Sequence, residues 1–197
     1  MTLSLVRAQA LVLSSLLLAG CAVGQGGKFT IQGHRSHIGD RPFILSEHNH
    51  LTAKPYSVKL SKTAVGLFAN PAMVGNNWYL LLENVIAQND PQITKKRINP
   101  YVELQVVADD NQFTIRPSEH DLAESRILAK AHRETATFQL TETQLVYMIN
   151  AQALAVTVVG NTNSIAVAGN DLAPSFQFHL YQFYKVAKAR QTASTGG

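Results

Sequence analysis

The chain of 197 residues holds a single cysteine, and that cysteine comes directly after an apolar leader. Ahead of Cys21 lie one basic residue, Arg7, an apolar run over residues 10–18, and the small pair Ala19-Gly20. A positive start, a short apolar stretch and small residues before a cut mark residues 1–20 as a secretory signal peptide. The run is too short to be read as a membrane-spanning helix. With no second thiol, no disulfide within the chain can brace the mature protein, despite the oxidising compartment that a secretory signal implies. Packing alone must hold the fold, and zinc–thiolate or iron–sulfur sites are excluded with the missing cysteines.

The sequence Leu18-Ala19-Gly20-Cys21 also resembles the lipobox of bacterial lipoproteins. The resemblance covers the leader and one residue of the mature chain. It implies that the Cys21 sulfur receives a diacylglycerol, that the leader is removed, and that the new amino terminus is acylated. Each buried methylene contributes about 0.8 kcal/mol, so two or three acyl chains hold a folded domain on a bilayer. In that class an aspartate after the cysteine signals retention in the inner membrane. Here the position is Ala22, so the resemblance implies the outer membrane, most simply its periplasmic face, with exposure at the cell surface left open.

Cleavage leaves 197 − 20 = 177 residues, enough for one core of ordinary size. Loss of Arg7 lowers the formal charge from +4 to +3, spread along the chain. That excess is too weak to argue for a nucleic-acid partner. Residues 21–53 are polar, glycine-rich and without sustained apolar periodicity, and read as an acylated cysteine followed by a flexible tether on which residues 43–45 can dock. Residues 54–190 read as one globular domain, and residues 191–197, small and polar, as a disordered tail.

Within the domain, residues 135–140 read as a strand, followed at once by Thr141 and, three residues later, Gln144. That spacing is a capping box and predicts a helix whose buried face holds Leu145, Met148 and Ile149. Residues 154–159 and 165–167 read as a hairpin turned by residues 160–164, and residues 101–107 and 112–116 as another turned by residues 109–111. Leu172, Phe176, Leu180, Phe183 and Ala187 recur at helical spacing, with Asn170 or Asp171 as cap and Pro174 in the first turn. Phe176, Phe178 and Leu180 also alternate as a strand would, so both readings stand at this point. Residues 56–60 read as a strand, residues 61–70 as a helix, residues 78–85 as a strand and residues 118–131 as a helix. A shift of 80 residues aligns Leu60 with Leu140 and Asn70 with Asn150, which fits two pseudo-repeated units of strand, helix, strands and helix. Either way the expected class is α+β: an antiparallel sheet with helices packed on one face.

Four groups of residues bear on chemistry. His34, His37, His48 and His50, with Glu47, are ligand types that a divalent metal uses. They match no specific zinc signature and fall in the expected tether, so no metal or other cofactor is expected. Lys95, Lys96 and Arg97 form a cationic loop between prolines that fits an acidic partner or lipid phosphate, or equally a solvated crossover. Ser118-Glu119-His120-Asp121 holds the residue types of a hydrolytic triad, but sequence neighbours point different ways, and Ser118 is better placed as a helix cap. Phe178 and Tyr181, on a helix, face away from Phe176, Leu180 and Phe183, and suggest a partner surface. The favoured expectation is a non-enzymatic, lipid-anchored envelope protein, an adaptor or assembly component with a protein partner, held to the membrane through its N-terminal lipid. The alternative is a periplasmic ligand- or metal-binding protein, or a hydrolase without a recognisable motif.

Overall fold

The computed structural model describes residues 28–35, 42–54, 56, 58, 60, 63–120, 122–123 and 128–195. The leader, Cys21 and His37 lie outside the described residues. The architecture is α+β with antiparallel pairing, in two sheets rather than the one expected. The first holds β1 (Thr30–Arg35), β2 (Pro42–Glu47), β3 (Gly66–Val74), β4 (Asn77–Ala87) and β7 (Ala131–Leu140), in the order β1-β2-β3-β4-β7. The second holds β5 (Tyr101–Ala108), β6 (Asn111–Ile115), β8 (Leu154–Gly160) and β9 (Ser164–Ala168), in the order β6-β5-β8-β9. One helical turn, α1 (Ile93–Lys96), lies between the sheets in sequence; α2 (Glu142–Asn150) joins β7 to β8, and α3 (Phe176–Thr195) ends the described chain.

Alternation along β4 explains the layering. Trp78, Leu80 and Leu82 point to the main core, whereas Tyr79, Leu81 and Val85 point to the other face, and both faces are buried. The main core joins that inner face to Leu104, Val106, Val156 and Val158 of the second sheet, Leu145 and Met148 of α2, and Phe176, Leu180 and Phe183 of α3. The outer side of the second sheet stays open, so β5 and β6 alternate between buried and exposed positions.

Several expected elements differ. Residues 61–70 do not form a helix: Gly66–Val74 is β3, buried at every position. A run buried on both faces loses the period that separates strand from helix, and Pro71 would break a helix interior. The 80-residue shift therefore sets part of β3 against α2. Among the described residues 56, 58 and 60 none is in a strand, and Tyr56 instead reaches Asn84. Of the helix expected at 118–131, no described residue is helical: Pro117 bridges Phe138, and the Ser118 and Leu122 amides donate to the Thr137 carbonyl and hydroxyl.

Part of the expected tether is structured, because residues 30–35 and 42–47 form β1 and β2. Pro71 shapes the end of the pairing between β2 and β3. It has no amide to offer a neighbouring strand, and the regular β2–β3 ladder stops at Leu45 and Ala72. The Ser46 hydroxyl donates to the Pro71 carbonyl. His48 turns the chain at φ 62°, after which pairing with β3 resumes through Asn49 and Leu51. The expected tail is also shorter, since α3 continues to Thr195.

The capping box is present at the expected residues: Thr141 Oγ1 accepts from the Gln144 amide at 3.1 Å, and Gln144 Oε1 accepts from the Thr141 amide at 2.8 Å. Thr141→Ala should therefore cost about 1 kcal/mol, read as a lower urea midpoint at unchanged slope. An unchanged midpoint would show that water serves the freed amides equally well.

Candidate functional site

Helix α3 has two faces of opposite character. Phe176, Leu180, Phe183 and Ala187 are fully buried, and Phe183 meets the Trp78 ring edge-on at 6.4 Å. The segment is thus a helix, and the stripe opposite its buried face carries Phe178, 52% exposed, and Tyr181, 44% exposed. Lys185 continues this stripe, its ammonium 5.5 Å from the Tyr181 ring centre. Such an attraction between cation and ring face favours an outward, ordered aromatic.

Contacts on both flanks hold the helix in this rotation. Towards α2, the Gln177 amide donates to the Met148 and Ala151 carbonyls at 3.0 and 2.8 Å, closing the carbonyl end of that helix. Further along, the Tyr184 hydroxyl donates to Glu142 at 2.7 Å, and Lys188 pairs with the same carboxylate. These bonds, the tyrosine's first, hold the Glu142 carboxyl below the usual range. On the opposite flank, His179 Nδ1 lies 3.1 Å from Asn49 Oδ1, and its ring stacks on Phe29 with centroids 4.0 Å apart. Burial, with the neighbouring His50, lowers the His179 pKa. Phe178 lies next to this stack, its ring centre 6.0 Å from that of His179.

The cationic loop divides. Lys95 is exposed, as expected of a surface charge. Lys96 is not available: its ammonium pairs with the buried Asp90 at 2.6 Å and lies over the Tyr56 ring. Arg97 is half exposed, yet its Nε lies 3.4 Å from the buried Glu134. Two of the three expected surface cations therefore serve the fold.

Glu134 is the group that the sequence reading missed. It faces Asn84 in the β4–β7 register, where the inner row of apolar residues ends. Its Oε2 accepts from the Ile98 amide at 2.8 Å and from Asn84 Nδ2 at 3.0 Å, and His132 Nε2 lies 3.3 Å from Oε1. Asn84 also donates to the Lys96 carbonyl and accepts from the Tyr56 hydroxyl. Burial opposes ionisation of Glu134, but the bonds from Ile98, Asn84, Asn99 and His132 outweigh it and hold its carboxyl below the usual range. The same burial and charge raise Tyr56 and Tyr101. Every member is tied to another, so the cluster fastens the loop of residues 90–100 to the sheet rather than offering a reactive group. Partners 36 to 50 residues apart in sequence left no local signal.

The other candidates do not converge. His48 and His50 both pack against the Phe68 ring, and the His34 side chain lies outside the described structure. No group of three metal-ligating side chains occurs among the described residues. Ser118 Oγ accepts from the His120 amide, while the His120 ring faces Tyr79, so the pair is not arranged as nucleophile and base. A depression of about 580 Å³ is lined by Val107, Asp109, Leu154, Ala168, Leu172 and Gln177. Two of its polar side chains are already used: Asp109 accepts from the Gln152 and Ala153 amides, and Gln177 caps α2. No family model, curated protein or solved structure matches the chain.

Proposed function

We propose that the chain is a non-enzymatic, lipid-anchored protein of the bacterial envelope, an adaptor or assembly component at the periplasmic face of the outer membrane that engages a protein partner there. The leader and Cys21 support the anchor. The observation that carries the reading is α3: a helix locked in one rotation by bonds on both flanks, with a buried face and an exposed aromatic stripe. A fixed apolar stripe is what a protein working by contact presents, since large aromatics are left in water at a cost unless something covers them. An enzyme needs convergent reactive groups instead, and here the ionisable groups that the fold gathers are bound to one another. The same reading sets α2 and α3 on one face of the five-stranded sheet, because the clusters on its other face contain no residue of either helix.

The anchor is testable directly. Mass spectrometry of the mature chain should find acyl groups on residue 21, and Cys21→Ser should leave uncleaved or unanchored protein, because a hydroxyl does not replace the thioether. An unmodified thiol, or an amino terminus elsewhere, overturns the localisation.

A further inference from the structure

We infer that the surface covering the exposed stripe of α3 is the lipid bilayer itself, met at its headgroup region by Phe178, Tyr181 and Lys185. The inference rests on the lipid anchor proposed above and narrows what that same stripe contacts to the membrane surface.

Three observations lead there. The first is reach. Six residues lie between Cys21 and Lys28, the first described residue, which makes seven Cα-to-Cα steps. An extended chain covers at most about 3.6 Å per residue, so this leash spans no more than about 25 Å. Helix α3, at 20 residues, is about 30 Å long at 1.5 Å per residue. Cys21 therefore stays within about one helix length of Lys28.

The second is where the leash meets the fold. Phe29 stacks on His179, and His179 is next to Phe178, so Phe29, His179 and Phe178 form a continuous strip of rings. The chain that leads to a lipid at Cys21 thus meets the described fold beside the N-terminal half of α3, the half that carries both exposed aromatics. Lys28, beside this strip, is exposed as well.

The third is charge and side-chain type. Residues 176–195 contain Lys185, Lys188 and Arg190 and no aspartate or glutamate. Lys188 is paired with Glu142, but Lys185 stands on the exposed stripe beside Tyr181. Aromatics with basic neighbours match the boundary between headgroups and acyl chains, where a ring lies at the interface and an ammonium meets lipid phosphate. No helix among the described residues is long and apolar enough to cross a membrane, so the contact is with the surface. Lys95, the other exposed cation considered, has no aromatic of this kind beside it and lies on the loop fastened to the far part of β4.

Spin labelling of the full acylated protein tests this. The only native cysteine is Cys21, whose sulfur is in thioether linkage once lipidated, so Phe178→Cys, Tyr181→Cys or Lys95→Cys each introduces a single free thiol. After reconstitution into vesicles of phosphatidylethanolamine with a minority of phosphatidylglycerol, the ratio of oxygen to nickel-chelate collision rates should rise several-fold for labels at 178 and 181. It should stay at the aqueous value for the label at 95. Water-like ratios at 178 and 181, with Cys21 acylated, overturn the docking while leaving the anchor intact. A raised ratio at 95 alone assigns the membrane face to the loop and overturns it too. A Cys21 found without lipid overturns the anchor reading, and the docking with it.

Discussion

Phe183→Ala is expected to remove about 3–5 kcal/mol of stability, the cost of emptying a large aromatic site that surrounding groups refill only in part. The ring is fully buried on α3 and touches Trp78, itself buried on β4. The cavity therefore opens between helix and sheet, where neither side can close it without moving a whole element. Phe178→Ala, five residues away and half exposed, should shift the denaturation midpoint by no more than about 0.5 kcal/mol, as for an ordinary surface position. Phe176→Ala, buried like Phe183, should resemble the larger loss. Urea titrations of the three variants check the contrast, with Trp78, the only tryptophan, as an intrinsic probe. A loss at Phe178 equal to that at Phe176 would mean that the stripe is part of the core, and the contact surface would go with it.

Glu134→Ala should be comparably damaging, at about 2–6 kcal/mol, because it leaves two buried donors unsatisfied at about 1–3 kcal/mol each. The Ile98 amide and the Asn84 side chain would each lose an acceptor; Arg97, half exposed, can return to water. Glu134→Gln keeps a carbonyl oxygen for Ile98 and Asn84 and should recover part of the loss. The direction with pH is set by the lowered folded pKa. An unfolded glutamate titrates near roughly 4.3. Above that value the ionised carboxylate contributes its full stabilisation, and as pH falls through the lower folded pKa the contribution disappears. Asp90 and Glu142, also lowered, act in the same sense, so the informative quantity is wild type minus Glu134→Gln. That difference should be largest near neutral pH and shrink below the unfolded value. A difference that grows on acidification would show that Glu134 is protonated in the fold.

The gap between these two sites shows how far a linear pattern of residues reaches. The heptad-like spacing of Phe176, Leu180, Phe183 and Ala187 spoke for a helix before any partner was known, and the exposure of Phe178 and Tyr181 followed from the helix period. The strand alternative at the same residues was settled by tertiary contacts, chiefly the seat of Phe183 against Trp78. Glu134 had no such signature. Its meaning comes from standing opposite Asn84 across two strands and beneath a loop that folds back over both, and no periodicity encodes that meeting.

The features legible in the order of residues alone are therefore local: the capping box that starts α2, the hairpins at residues 101–115 and 154–168, and the apolar face of α3. Each rests on groups a few residues apart, whose hydrogen bonds or spacing exist whatever surrounds them. Long-range packing made residues 66–74 a strand and not a helix, brought residues 30–35 and 42–47 into a sheet instead of a tether, and paired Lys96 and Arg97 with buried carboxylates. Those outcomes depend on burial on both faces, on backbone partners supplied by distant strands, and on two carboxylates, Asp90 and Glu134, brought beneath the loop. These terms arise only when the sheets close on each other.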